Sequence, residues 1–563
     1  MRRCLVRVAT VGVAVTTLAA MPAPAQRVLG IGEDALVLPR GMLRVRTLGQ
    51  WTSFNERYGL NTPGRESGSL EPLGIDFVLD TVGVREFPNL NAGPTGLQEG
   101  LRALTGNPAF NLSLGSTRLD LRAQVTAVPF VIEAGLSRRF SLGIQVPYVQ
   151  TRNSAFFDVN PNQREGNLGF NPALAVPAAA AQNALMFSQF QTAAASLQTS
   201  LDACAANPGA SPSCPALNAQ RSNAQALIAN STAFAGGVNQ IYSSSPFVPI
   251  RNTDAQLAIE ARVAAFRALY AQFGVNDIAP TTTGPFASQN TLTAADAQTI
   301  LTDPLFGVQA DPIQTVTRSH VGDIDVGGKF LLLDTFGNST VARMQPEGLN
   351  FRLSVGGVVR LPTGQAESPD NFIDIGGGQG QTDLEGRVFA DLLLGSRFWQ
   401  SFVVRYNAQL ADDQHVRITD LPNRTFAPLY RRQKVERNLG DIFEFETTPR
   451  IVVNDFFAVS GQYVYRAKSS DRYAGTFAIP AAVTGFADIT LDASTLDLET
   501  EQKEHRLGGG ISFSNLYAYE QKKAGIPFEV TYLHWQTVKG SGNVPKAFTD
   551  QIQLRLYARV FGN

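Results

Sequence analysis

The sequence predicts an all-β fold: a transmembrane antiparallel up-and-down β-barrel of about twelve strands, with a large, mostly helical extracellular insertion. Three observations predict it. QIQLRLYARVF at 551–561 alternates without error, with Ile552, Leu554, Leu556, Ala558 and Val560 on one face and Gln551, Gln553, Arg555, Tyr557 and Arg559 on the other. Successive side chains of a strand point to opposite sides, so one face of this strand is apolar and one polar. Such segments recur along the chain, and the spaces between them run long, short, long, short. Outer-membrane barrels have this rhythm because periplasmic turns are short and external loops long. Finally, no stretch beyond the first 25 residues holds 18 consecutive apolar residues, which excludes helical spans.

The chain opens with Arg2, Arg3 and Arg7, an apolar stretch to about Met21, and a small-residue PAPAQ site. This reads as a secretory signal peptide over 1–25, cleaved after Ala25. The alternative is a membrane anchor helix, but the stretch is short and ends in Pro-Ala-Pro-Ala. Residues 26–563 then form the barrel. Removing the signal takes away three Arg and no acid, so the formal charge moves from −1 to −4. That is no basic footprint for nucleic acid.

Strand one spans 42–54 and is followed by a long connection. Strands two (118–134) and three (140–151) flank a tight turn at LSRRFS. The insertion at 155–318 follows, rich in Ala, Gln, Asn and Ser, with helices over 181–205, 216–235 and 253–273. In the last, Leu257, Ile259, Ala261, Val263, Phe266, Leu269, Tyr270 and Phe273 give an apolar stripe. Cys204 and Cys214 flank NPGASPS between the first two helices. An exported chain meets an oxidising compartment, so a disulfide stapling a helical hairpin is expected there. No His lies near enough to suggest a metal. The insertion is expected to cap the outer mouth or fold partly into the lumen; a solvated loop without a gating role is the alternative.

Strands four (322–333) and five (350–361) share a turn of medium length. Strands six (383–394) and seven (398–410) meet at GSRFW, and eight (440–453) and nine (456–467) at VNDF. Strands ten (502–514), eleven (526–537) and twelve (548–561) close the chain. Aromatic residues near strand ends, such as Phe398, Trp399, Tyr406, Phe457 and Phe561, suit interfacial girdles. A soluble β-sandwich explains the alternation but not the loop rhythm.

If the apolar faces meet lipid, the opposite faces line the lumen. The charged candidates are Arg44, Arg46, Asp120, Arg122, Arg352, Arg360, Glu385, Arg387, Asp391, Arg405, Glu444, Glu446, Glu529, Arg555 and Arg559, nine Arg against six carboxylates. A charge left facing lipid at mid-bilayer costs about 2–4 kcal/mol, so these residues point inward, pair, or sit near a rim. Mixed rows of this kind screen permeants by charge; alternatively they only fill the barrel with paired side chains.

Signatures of catalysis are weak. The four His residues, His320, His415, His505 and His534, form no H-E-x-x-H pair, and no G-x-S-x-G elbow exists. IGGGQGQTD at 375–383 lacks the Lys-Ser/Thr of a phosphate loop. No cofactor or metal is expected.

Four segments carry a family likeness: VPFVIEAGLSRRFSLGIQVPY (128–148), GDIDVGGKFLLL (322–333), LSVGGVVRLPTG (353–364) and GGGQGQTDLEG (376–386). In this order they resemble the bacterial outer-membrane barrels grouped with the meta-pathway phenol-degradation protein. NPA at 107–109 and 171–173 is faintly similar to the amino-terminal motif of long-chain fatty-acid channels. The helical insertion departs from the family pattern. The resemblance implies a passive outer-membrane channel for small organic compounds, hydrophobic or aromatic ones among them. Its partners would be outer-membrane lipid, the barrel-assembly machinery and a small-molecule permeant. A structural or surface-interaction barrel with a plugged lumen is the alternative.

Overall fold

Each of the long alternating segments pairs with its sequence neighbours, and the last pairs with the first. In the computed structural model the barrel strands are β1 (Met42–Phe54), β2 (Gly115–Gly135), β3 (Phe140–Val159), β4 (Ile324–Asp334), β5 (Leu349–Leu361), β6 (Asp383–Leu394), β7 (Phe398–Gln409), β8 (Ile442–Val452), β9 (Phe457–Lys468), β10 (Gln502–Ser514), β11 (Phe528–Ser541) and β12 (Phe548–Arg559). All pairings are antiparallel, and β1 against β12 (Arg46↔Arg555, Gln50↔Gln551) closes the ring at twelve. Closure leaves no unpaired strand edge, the requirement for crossing hydrocarbon with strands. The structure describes residues 32–560 except 61–65, 92–95, 162–165, 210, 337–345, 377 and 421–424. The expected signal peptide, 1–25, and Phe561 lie outside the described residues.

One end of the barrel carries the turns 136–139, 395–397 and 453–456, the connection 515–527, the end of β4, the starts of β1 and β5, and the end of β12. The other carries the long segments and the short turn 542–547. Around the outside, Phe130, Ile132, Ile144, Phe330, Val359, Val388, Phe402, Ile451, Val459, Ile511, Tyr532, Ile552 and Leu556 are all exposed. A continuous apolar belt of this size has no stable place in water and marks a lipid-facing surface.

The predicted strand four begins two residues late. Val316–Val321 is a separate strand that pairs with β3 beyond β4, and the ladder breaks at Gly322 and Asp323. The break has a use. The Asp323 carboxylate accepts the backbone N–H of Gly364 (2.8 Å) and of Gln379 (3.1 Å). A Cβ at Gly364 or Gly378 would come within 2.8 or 2.6 Å of Asp323 Oδ1, so glycine is required at both. Three of the sequence motifs thus converge on one carboxylate, which ties the 362–382 loop to the rim.

The insertion forms a helical layer: α1 (Leu97–Thr105, from the preceding long loop), α2 (Pro177–Ala206), α3 (Cys214–Ala219), α4 (Arg221–Ser244), α5 (Asp254–Gln272) and α6 (Ala294–Thr302). It begins later than expected, because β3 runs on to Val159. The Cys204–Cys214 disulfide joins α2 to α3. On α2 the residues Met186, Phe190, Ala193, Leu197 and Leu201 recur every three or four positions and are buried against Leu227, Phe234 and Val238 of α4. On α5 the buried stripe is Ile259, Val263, Phe266 and Tyr270, narrower than expected, since Leu257 and Leu269 are exposed. This core continues into Leu119, Phe157 and Val159 at the loop-side ends of β2 and β3. The layer therefore covers the loop end. Phe426 locks it down, stacking on Phe87 (5.4 Å) and meeting Phe77, Phe157 and Phe372 edge-on.

Candidate functional site

Every second residue of the barrel faces a lumen, and the lumen encloses a cavity of about 620 Å³. That volume is in the range of small-molecule sites. None of the residues lining it belongs to the helical layer. Its walls come from the inward rows of all twelve strands and its floor from the segment ahead of β1.

That segment enters from the turn end. Leu36 and Leu38 pack with Met42, Leu516 and Tyr557. Ala35, wholly buried, sits against Phe389 and Val403. The Ala35 N–H donates to Asp391 (3.0 Å), and Ser354 Oγ donates to the Ala35 carbonyl (2.5 Å). Lys329 Nζ lies 3.8 Å from the Phe389 ring centroid and donates to the Asp34 carbonyl at 2.7 Å. Further up, Glu33 pairs with Arg387 (3.0 Å) and Arg405 (3.2 Å). Burial pushes the Glu33 carboxyl up, but Arg387, Arg405, Lys329 and Arg46 outweigh it and hold it well below the usual carboxylate range. Residues 32–38 thus fill the turn-side half of the lumen, and their backbone polar groups bond to inward side chains of the wall.

Six carboxylates line the cavity, Glu33 on the floor and five on the strand wall, and an arginine holds each one. Arg44 pairs with Glu133, and Arg360 with Asp325 at 2.9 Å. Arg387 binds Glu385 as well as Glu33. Arg405 bridges Glu33, Glu444 and Glu446, the last at 2.6 Å. Arg506 reaches Glu444 at 3.1 Å. Such partly buried networks contribute little net stability, but removing one partner strands its neighbour's charge. The apolar share of the inward wall includes Val358, Val464, Leu533 and Trp535. Arg506 lies over the Trp535 ring, 5.0 Å from its centroid.

Eight of the charges expected from the sequence line this cavity: Arg44, Arg46, Arg360, Glu385, Arg387, Arg405, Glu444 and Glu446. Arg352, Asp391, Glu529 and Arg555 face inward but are buried below it, with Arg555–Glu529 at 2.5 Å and Arg352–Asp391 at 3.6 Å. Arg559 continues the inward row of β12 at the turn end, opposite Met42. Asp120 and Arg122 do not face the lumen. They lie on the outer face of β2, where Asp120 is 65% exposed and approaches Arg118 at 3.8 Å. The inward positions at that level are Leu119 and Leu121, which face the cap's core, and Ala123, which is wholly buried. Sequence reasoning took the phase of β2 from this upper half and so missed Glu133. It also missed Asp325, Lys329, Arg466 and Arg506, which strand alternation places inward, and Glu33 and Asp34, which precede any periodic segment.

No family model matches the chain, and no curated protein does. Among solved structures it is similar to an outer membrane channel from Pseudomonas putida F1 (8% identity, TM-score 0.40, covering 94% of this chain and 99% of that one). It is also similar to the Ralstonia pickettii toluene transporter TbuX (8%, 0.29, 96% and 98%) and the P. putida toluene transporter TodX (8%, 0.23, 93% and 91%). Superpositions this loose carry no functional weight; the geometry of the barrel does.

Proposed function

We propose that this chain is an outer-membrane channel for passive uptake of small organic compounds. One observation carries the reading: a closed, lipid-belted barrel encloses a cavity of about 620 Å³ above a floor made by its own N-terminal segment. Sealed strand edges and an outward apolar belt suit a bilayer, and a wet, charged lumen suits solute passage. In this reading the loop end faces outward and the helical layer lies over the outer mouth. The motif resemblance adds aromatic compounds to the permeants expected. Purified protein in planar bilayers should give single-channel current steps. A heat-modifiable gel shift in outer-membrane fractions should accompany them. A soluble, unshifted protein would overturn the reading.

A second reading, a structural or surface-interaction barrel, is favoured by the depth to which residues 32–38 fill the lumen. It predicts silent bilayers and a helical layer that protease removes from intact cells. Deleting 160–315, which leaves β3 paired with Val316–Val321, discriminates further. Altered conductance assigns the cap a role in passage.

A further inference from the structure

β2 and β3 are the longest strands of the ring, and their outer faces change chemistry on the way to the loop end. Near the turn end the exposed residues are apolar: Ile132 beside Ile144, then Phe130, then Val128 beside Tyr148. Farther along, Gln124 stands beside Arg152 and Arg122 beside Ser154. Arg122 is twelve residues from Ala134, at the turn end of β2. At a rise of about 3.3 Å per residue and a tilt of about 40°, it stands about 30 Å up the bilayer normal, just past an apolar band about 25 Å tall. The wet headgroup layer lies at that height. Arg122 and Arg152 are exposed there, diagonal to each other across two paired strands and within side-chain reach. Neither has an ion-pair or hydrogen-bond partner among the described residues. The two acids higher on this face belong to Arg118, which approaches Asp120 at 3.8 Å and stands opposite Asp158. Like charges this close repel, and an anion between them removes the repulsion. Phe156, on the same outer face next to Ser154, is 65% exposed although it lies above the apolar belt.

We propose that this face of β2 and β3 holds the headgroup of the outer leaflet's phosphorylated glycolipid, with Arg122 and Arg152 on a phosphate. A guanidinium fork matches phosphate oxygens in two parallel hydrogen bonds. Gln124 and Ser154 are the direct ladder partners of the two arginines and supply donors and acceptors for hydroxyls. Phe156 offers a flat apolar face that the C–H side of a sugar ring can cover. The acyl chains then lie on Val128, Phe130 and Tyr148, directly below on the same two strands. One amphipathic molecule thereby covers the apolar and the cationic part of the face together. A phospholipid headgroup would leave the exposed ring and the amide without a match.

The proposal rests on the channel reading in one respect, that the barrel crosses an outer membrane with its loop end outward. Native mass spectrometry of the purified full chain in detergent tests it, with three probes titrated separately: bis-phosphorylated lipid A, the same lipid A stripped of phosphate, and phosphatidylglycerol. Phosphorylated lipid A should bind about tenfold tighter than either of the others. Arg122→Gln combined with Arg152→Gln should remove about that tenfold and leave binding of the stripped form unchanged. Phe156→Ser should weaken both forms of lipid A about threefold. Lys503→Gln combined with Lys539→Gln, at exposed cations of β10 and β11, should bind like wild type. All the substituted side chains are exposed, and a gel shift on heating verifies that each variant has formed its barrel. Equal binding of the two lipid A forms overturns the site. So does a double arginine variant that binds like wild type, or an equal loss in the double lysine variant. Phosphatidylglycerol binding as tight as phosphorylated lipid A overturns the glycolipid assignment. Bilayer recordings on the same preparation separate the two readings. Current steps without phosphate-dependent binding remove the lipid site and leave the channel; phosphate-dependent binding with silent bilayers does the reverse.

Discussion

Glu33→Gln should loosen the floor of the cavity and raise the open fraction of the channel. Glu33 meets Arg387 at 3.0 Å and Arg405 at 3.2 Å, and the three side chains are 13–27% exposed. A hydrogen bond involving a charged group contributes about 1.5–3 kcal/mol. Partial exposure screens part of that, and both arginines retain another carboxylate, so neither is left unpaired. A net loss of about 2 kcal/mol in docking shifts the docked-to-released ratio roughly 30-fold. Two assays read this. In planar bilayers the variant should spend a larger fraction of time conducting. The second assay uses Ala35→Cys, a thiol placed at that wholly buried position. Alone, this thiol should be inert to a thiol reagent; combined with Glu33→Gln, it should react. Cys204 and Cys214 are already joined and do not compete for the reagent. Unchanged conductance together with an inert introduced thiol, in a correctly folded double variant, would refute the argument. The pH dependence has a definite sign. Because the carboxyl is held below its ordinary range, docking is supported at any pH above the ordinary carboxylate value and lost only as pH falls through the depressed one. Wild type should therefore remain docked at pH near 4.5 and release only in stronger acid.

Three further outcomes follow from particular contacts. Phe130→Arg should cost about 2–4 kcal/mol of barrel stability by urea unfolding in lipid, whereas Asp120→Arg, on the same outer face of β2 but at the loop end, should change it by less than about 0.5 kcal/mol. Asp323→Ala should leave the barrel intact yet make the 362–382 loop protease-sensitive, since two backbone donors lose the one carboxylate that ties them to the rim. Reducing Cys204–Cys214 should destabilise the helical layer by about 2–3 kcal/mol, the value for so short a closed loop. It should show as earlier cap proteolysis with no change in the barrel's heat-modifiable shift.

Much of this molecule was legible because a strand in a bilayer has only two faces. Alternation at 551–561 settled that Arg555 faces opposite to Ile552 and Leu556, and the register of β12 against β1 agrees. The spacing of short and long intervals gave the hairpin order, and the Ala-rich stretch gave the helical layer and its disulfide. Local pattern suffices there because each residue's surroundings are set by its own strand or helix. It failed where a face changes solvent along one strand. In β2 the even residues meet lipid at Phe130 and Ile132 but water at Asp120 and Arg122, while the odd ones pass from Glu133 in the lumen to Leu119 under the cap. Side-chain parity is constant along that strand, so the apolar phase inverts with no bulge to announce it. What only the tertiary structure decided is what lies inside: Glu33 and Asp34 on a segment without periodicity, and the pairing of six carboxylates with particular arginines. Those facts depend on which strands meet across the ring, and no stretch of sequence contains that distance.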